Sequence, residues 1–147
     1  MTRRGVCKLA DFGISKILGG TLSKVETTMG TPVYLSPEIV KSQPYNFATD
    51  IWSLGVLLYE MAALQVPWAG SNLVDIGVQI CNGRFPPIPS QYSPAIKNLV
   101  SLCLQKIPSQ RPSINSILNV PKIRNRIKHL LHENVYKEEF AHTVLHN

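Results

Sequence analysis

The apolar positions predict a mainly helical chain built around one central helix. Over residues 50–64 the apolar side chains cover nearly the whole circumference of a helix, with Glu60 as an interruption. A helix that is apolar all round is normally buried and needs neighbours on every side. We expect Thr49 or Asp50 to cap its first turn. The run is too short to cross a bilayer.

Shorter elements are expected on both sides of this helix. Residues 6–10 alternate like a short strand, and residues 19–37, rich in Thr, Ser, Gly and Pro, form a long loop. Later helices are predicted at residues 73–81 (ended by Asn82-Gly83), from Ser93 or Pro94 to Cys103, at residues 113–118 (capped by Ser113) and beyond Pro121. Trp52 and Trp68 are expected in the core.

The formal net charge of +6 raises the question of a nucleic-acid partner. The basic residues form an early group and a larger late group, and no aromatic residues alternate with either, as a base-stacking surface would need. We therefore expect no nucleic acid, and a solvated helix face or a contact for acidic partners instead. The groups are Arg3, Arg4 and Lys8, and Lys122, Arg124, Arg126 and Lys128.

The cysteine usage points to a reducing compartment. The three cysteines are scattered without a CxxC pair, and no apolar signal core follows Met1. We expect a soluble, intracellular, cytoplasmic protein, with cytoskeletal or nuclear association left open. His142 and His146 stand four residues apart near the end, where a solvated helical face is favoured over a metal site.

Five motifs occur in an order that carries more information than any one of them. The motifs are Asp11-Phe12-Gly13, Gly30-Thr31-Pro32-x-Tyr34, Ser36-Pro37-Glu38, the run Asp50 to Gly55, and Gln110-Arg111-Pro112-Ser113. Together they resemble the protein-kinase signature from the DFG motif to the end of the large lobe. The finer match is to the NIMA-related kinases, in residues 8–16, 30–38, 112–118 and 123–127.

This resemblance implies a partial protein-kinase-like fold. The expected part is the mainly α large lobe of a two-lobed kinase, with a short β segment at its start. Residues 1–120 would be the C-terminal part of the kinase domain, with residues 11–38 as its activation segment. Residues 121–147 would form a basic helical extension.

The resemblance also assigns roles around the phosphates of ATP. Asp11 would bind the Mg²⁺ that bridges them, because this hard cation prefers oxygen ligands. Phe12 would pack under the site, and Gly13 would supply the backbone freedom to switch it on and off. The alternative is an Asp and a Gly of an ordinary turn.

Within the activation segment three threonines are singled out by the same resemblance. Thr27 stands where this family commonly carries its activating phosphate, and Thr28 is the second choice; an unmodified exposed threonine is the alternative. Thr31 would lie where the substrate docks, with its hydroxyl facing the catalytic base, as in serine/threonine kinases.

Three further residues have implied structural roles. Glu38 and Arg111 would form a buried ion pair that fastens the activation segment to the lobe. Asp50 would hold the catalytic loop by its backbone, and a simple N-cap is the alternative.

Several parts of a phosphotransferase are absent from the 147 residues. They contain no Gly-rich loop, no ATP-binding lysine with its glutamate, and no HRD-type loop with a catalytic Asp base. We expect an incomplete gene model or a partial product of a full kinase, inactive alone. Without the helices that would cover residues 51–64, we also expect an exposed apolar patch and marginal stability.

Two functions follow from this sequence. The first is a serine/threonine protein kinase that uses Mg-ATP and protein substrates, a role favoured by the retained Asp11. The alternative is a non-catalytic, kinase-derived binding or scaffold module, docking through the surroundings of Thr31 and the helix at residues 73–81, with a protein partner covering the open face. A nucleic-acid binder has only the net charge in its favour.

Overall fold

A computed structural model of the chain describes residues 32–130, which form six α-helices and two short 3-10 turns. The helices are α1 (Pro37–Val40), α2 (Ala48–Ala63), α3 (Leu73–Asn82), α4 (Pro94–Cys103), α5 (Ile114–Leu118) and α6 (Pro121–Leu130). The 3-10 turns are Pro32–Tyr34 and Pro108–Gln110. No strand occurs in residues 32–130, so this part is helical as predicted. The predicted strand at residues 6–10 lies outside the described residues.

The long helix α2 begins two residues earlier than the sequence suggested. Its N-cap position is Phe47, whose side chain is exposed and makes no capping bond. The N–H of Ala48 is instead bonded at 2.9 Å to Oδ1 of Asn46. The prediction that Thr49 or Asp50 caps the helix is therefore wrong, because both residues lie inside its first turn.

One side of α2 lies at the centre of the core. Trp52, Val56 and Tyr59 are each 0% exposed. Trp68, equally buried, stacks on Trp52 with ring centroids 5.2 Å apart and planes 3° apart. The indole N–H of Trp68 donates to the carbonyl of Arg84 at 3.1 Å, so the loops before and after α3 are joined through this ring. Both tryptophans are core residues, as predicted.

Helices α2 and α4 approach each other at a glycine. A Cβ atom at Gly55 would lie 2.7 Å from Cβ of Cys103 and 2.9 Å from Cδ2 of Leu104, closer than real side chains come. Glycine is therefore required for this contact. Cys103 is fully buried there, and burial raises the pKa of its thiol to about 11.

The later helix ends follow local signals that the sequence displays. Gly83 ends α3 with a left-handed φ of 67°, a conformation that glycine adopts without strain. Pro94 takes the first position of α4, after Ser93 in an extended conformation. Ser113 caps α5, since its Oγ accepts from the N–H of Ser116 at 3.1 Å. These predictions, and the helix beyond Pro121, are confirmed.

The end of the predicted loop is more regular than expected. Residues 19–37 were predicted as loop, yet Pro32–Tyr34 is a 3-10 turn and α1 begins at Pro37. Both elements start with proline, whose fixed φ suits a first helical residue. They are too short to show an apolar period, so the sequence pattern gave no signal for them.

The other side of α2 is exposed in this structure. Leu57 is 45% exposed, Met61 56%, and Leu64 at the C-cap 88%. We call these three residues the exposed side of α2. Burial on every side was thus wrongly predicted, whereas the expected exposed apolar patch is present. Among the helices of residues 32–130, none is long and apolar enough to cross a membrane.

Candidate functional site

The Ser36-Pro37-Glu38 motif directs a carboxylate into the interior. Ser36 is extended, with φ −79° and ψ 157°, and Pro37 follows as the first residue of α1. Glu38 therefore lies in the first helical turn, where it is only 3% exposed. A carboxylate buried to this degree requires a charged or hydrogen-bonding partner.

Arg111, which is 73 positions later in the chain, is that partner. Its Nη1 lies 2.7 Å from Oε1 of Glu38, and its Nη2 lies 2.8 Å from Oε2. Two parallel bonds of this kind use the planar fork of a guanidinium, which a lysine cannot reproduce. The ion pair predicted from the sequence is present, with both side chains buried.

The other donors of Arg111 bind main-chain carbonyls. Nε donates to Gln105 at 2.8 Å, and Nη1 donates to Ala48 at 2.8 Å. Nη2 makes a longer bond of 3.4 Å to Lys106. The guanidinium carbon also stands 5.0 Å from the centre of the Trp52 ring. One cation thus joins α1, the start of α2 and the chain after α4.

The ionisation of Glu38 is set by two opposing effects. Burial by itself raises its pKa. Hydrogen bonds from Arg111, from the backbone N–H of Glu38 and from Oγ1 of Thr49 at 2.9 Å outweigh burial, so the pKa is about 2 instead of 4.5. The buried Ser36 hydroxyl also favours the charged form, although its oxygen falls outside hydrogen-bonding geometry. The Glu38 carboxyl is therefore charged near neutral pH.

The turn Pro32–Tyr34 is fastened to α2 through Tyr34. The Tyr34 hydroxyl donates a hydrogen bond to Oε2 of Glu60. Oγ of Ser53 donates to the carbonyl of Tyr34 at 3.2 Å. The bond to Glu60, followed by burial, raises the pKa of Tyr34. The main chain that directly follows Thr31 in sequence is thus held to α2 at two points.

This second network was not predicted from the sequence. A signal for it existed, because Glu60 is the carboxylate that interrupts the apolar run of α2. A half-buried carboxylate on an apolar helix needs a donor nearby. The sequence does not say which donor, since Tyr34 is 26 positions away.

Asp50 lies in the first turn of α2 and is exposed. Its side chain makes no hydrogen bond or ion pair within residues 32–130. The N-cap alternative is wrong, since the helix starts before it. Its charge lies at the positive end of the helix dipole, where an acidic side chain is stabilising. Its role toward a catalytic loop stays a prediction.

The remaining predicted site residues lie outside the described part of the chain. They are Asp11, Phe12, Gly13, Thr27, Thr28 and Thr31. Within residues 32–130, no three His, Cys, Asp or Glu side chains come together in a metal-binding group. The magnesium, ATP and phosphorylation assignments therefore stay predictions.

The class of protein follows from this geometry and its sequence context. A Ser-Pro-Glu turn is tied by a buried Glu–Arg pair to a central helix bearing Asp50 and Trp52, as the resemblance to the large lobe of a protein kinase implied. The family model described as "Protein kinase domain" matches residues 1–123. The chain belongs to the protein kinase family.

Within that family the chain is similar to the Nek, or NIMA-related, kinases, which confirms the finer resemblance. It is 45% identical to human serine/threonine-protein kinase Nek5 over 140 residues, covering 95% of this chain and 20% of the relative. It is 40% identical to mouse Nek1 over 141 residues, which are 96% of this chain and 12% of that relative. It is 47% identical to probable serine/threonine-protein kinase nek3 of Dictyostelium discoideum over 117 residues, which are 79% of this chain and 10% of that relative. The chain spans a fifth or less of the length of these relatives.

Proposed function

We propose that this chain is part of a serine/threonine kinase that transfers the γ-phosphate of ATP to serine or threonine of protein substrates. The observation that carries the proposal is the buried pair of Glu38 and Arg111. It fixes the end of the segment that also holds Asp11 and Thr31, the two residues proposed to act closest to the reaction. The similarity to Nek serine/threonine kinases supports the same conclusion.

The proposed roles divide the segment before Glu38 into three parts. Asp11, with Phe12 and Gly13 beside it, would hold Mg²⁺ and thereby the phosphates of ATP. Thr27, or else Thr28, would receive an activating phosphate. Thr31 would face the hydroxyl acceptor of the substrate.

The described residues contribute positioning. Tyr34 follows Thr31 closely and is held through its hydroxyl by Glu60 and through its carbonyl by Ser53. Val33 between them is 3% exposed. A substrate-docking turn held at these points costs less entropy to order when substrate binds, which favours a productive geometry.

The 147-residue chain is proposed to be inactive by itself. Its 147 residues contain no His-Arg-Asp sequence and therefore no catalytic base of the kinase type. Transfer is thus proposed for the whole protein that carries these residues. We propose an intracellular, cytoplasmic location, with ATP and Ser/Thr-containing proteins as its partners.

A second function is favoured by the exposed side of α2. Leu57, Met61 and Leu64 present large apolar groups to solvent, and a cleft of about 660 Å³ opens near the start of the same helix. The cleft is lined in part by Phe47, Ile51, Leu54 and Ile114. A protein partner covering this surface would make the chain a kinase-derived binding or scaffold module.

Phosphoryl transfer from radiolabelled ATP to a mixed Ser/Thr peptide library tests the first proposal. The whole protein should label the library, and Asp11→Asn should lower the rate about 100-fold or more. Asp75→Asn is the matched control, since Asp75 is an exposed aspartate of α3. A folded whole protein without transfer would contradict the kinase proposal.

Binding of Mg-ATP to the 147-residue chain separates the two functions further. Titration calorimetry should show no saturable binding if the chain needs other parts of the kinase for its site. Saturable binding abolished by Asp11→Asn would show that the chain alone forms a nucleotide site. That result would contradict its use as a purely non-catalytic module.

A further inference from the structure

Helix α6 differs from the other helices by its charge. In its ten residues, Pro121–Leu130, it has four Lys or Arg residues, one His and no acidic residue. Two of the basic residues, Arg124 and Lys128, have interaction partners of their own. The remaining three are Lys122, Arg126 and His129.

Lys122, Arg126 and His129 lie on one flank of α6, because they are spaced by four and three residues. We call them the basic flank. All three are exposed, and none of their side chains makes a hydrogen bond or ion pair in the described part of the chain. At 1.5 Å per residue, the flank extends over about 10 Å.

The orientation of the flank is fixed by packing on another side of the helix. Ile123 packs against the buried cluster of Ile51, Cys103 and Ile117, and Ile127 is half-buried. The apolar side of α6 therefore faces the domain, and the basic flank stays at the surface. A charged surface held in this way needs little reorganisation when a partner binds.

The arrangement does not serve the stability of the helix. Lys122 and Arg126 are like charges four residues apart, which repel each other, and α6 contains no acidic residue to compensate. Where residues conflict with local stability, a functional use is a reasonable explanation.

We propose that the basic flank is a docking surface for an aspartate- and glutamate-rich segment of a partner protein. In an extended segment, every second side chain faces the same way, about 6.6 Å apart. Lys122 and Arg126 are separated by a rise of about 6 Å. Successive carboxylates on one face of such a segment can therefore each meet one cation.

Two other classes of anionic partner fit less well. Insertion into a lipid surface needs a free apolar side, and that of α6 is occupied by packing against the domain. Specific binders of duplex nucleic acid contact about 6–10 phosphates, more than a flank of three side chains supplies. The helix also contains no Phe, Tyr or Trp for base stacking.

Fluorescence anisotropy of a labelled peptide of about eight glutamates, long enough when extended to cover the flank, tests the proposal with the full chain. The variant Lys122→Gln/Arg126→Gln should lose roughly tenfold in affinity at about 0.01 M salt, and less at about 0.1 M because of screening. The matched control, Lys41→Gln/Arg84→Gln, removes one exposed lysine and one exposed arginine elsewhere. It should bind within about twofold of the unchanged chain.

A second variant keeps the test decisive if the first disturbs folding. Asn125→Lys adds a cation beside the flank at an exposed position and should strengthen binding a few-fold. If both double variants lost the same affinity for the peptide, only the net charge of the chain would matter, and the proposal would be overturned. Tighter binding to phosphatidylserine vesicles or to duplex DNA than to the peptide would overturn it as well, as would no measurable binding.

Discussion

Both sides of α2 carry large apolar side chains, but one side is buried and the other is about half exposed to solvent. On one side Trp52, Val56 and Tyr59 have no exposed surface, and Arg111 stacks near the Trp52 ring. On the other side, Leu57 and Met61 are about half exposed. Hydrophobicity alone therefore does not tell which side is packed.

What distinguishes the packed side is its polar attachments. The Glu38–Arg111 pair ties α1 to the packed side of α2, since Arg111 also donates to the carbonyl of Ala48 and its guanidinium carbon stands 5.0 Å from the centre of the Trp52 ring. The Tyr34–Glu60 bond lies at the border between the two sides, because Glu60 is three residues after Leu57 and four before Leu64. Buried polar bonds of this kind select one arrangement from several that would bury a similar apolar area. The following experiments test this difference.

The largest effect is expected from breaking the buried pair. Arg111→Met leaves the Glu38 carboxylate buried without its partner and should lower the free energy of unfolding by about 3–5 kcal/mol, measured by urea titration. Arg84→Met, at an exposed arginine, is the control and should cost less than about 0.5 kcal/mol. The double variant Glu38→Gln/Arg111→Met should cost less than Arg111→Met alone, since no charge is then left buried. If Arg111→Met and Arg84→Met lowered the free energy of unfolding equally, the buried pair would not be a main source of stability.

Acid should weaken the same pair through Glu38. Its folded pKa of about 2 lies below the ordinary 4.5, so the folded state favours the charged form. This contribution to stability is complete above about pH 5 and is lost as the pH falls through 4.5 toward 2. Urea midpoints measured from neutral pH down to about pH 3 should fall more for the unchanged chain than for Glu38→Gln. Parallel pH profiles would show that other groups cause the acid sensitivity.

Adjacent residues on the two sides of α2 allow a direct comparison. Val56→Ala removes two methyl groups from a fully buried site and should cost about 1–3 kcal/mol. Leu57→Ala removes more atoms but from a side chain that is 45% exposed, and should cost less than about 1 kcal/mol. Both values come from the same urea titrations. A larger cost at Leu57 would mean that this side of α2 is covered in solution.

The smallest effect is expected at the Tyr34–Glu60 bond. Tyr34→Phe removes the donor from a carboxylate that water can partly reach, at a cost of about 1 kcal/mol. Tyr92→Phe is the control, because the Tyr92 hydroxyl has no hydrogen bond in the described residues. If the whole protein is the proposed kinase, Tyr34→Phe should also raise its KM for peptide substrate, since the turn proposed to dock the substrate is then less well held. Unchanged stability and unchanged KM would contradict a positioning role.

Local signals in the sequence predicted much of this fold. Gly83, Pro94 and Ser113 mark helix ends through their own backbone or side-chain chemistry, so no knowledge of the tertiary structure is needed. The pair of Glu38 and Arg111 could be named only because both belong to motifs of a known family. Spacing alone would not connect residues 73 positions apart.

The features that the sequence did not predict depend on contacts between helices and turns that are distant in the chain. The bond between Tyr34 and Glu60, and the bond from the N–H of Ala48 to Asn46, involve polar residues with several possible partners in the sequence. The exposure of Leu57 likewise depends on what packs against it, which an apolar pattern does not specify. Of the candidate site, the sequence predicted the ion pair and left the second network unassigned.

The buried thiol of Cys103 provides a way to observe the domain opening. Only thiolates react readily with alkylating reagents. The Cys103 thiol is therefore unreactive in the folded state for two reasons: its pKa is about 11, and it has no exposed surface. It lies where α4 crosses Gly55, so it becomes reactive only when the two helices separate. In a chain with Cys7 and Cys81 replaced by serine, the rate at which an alkylating reagent labels Cys103 would report that separation directly.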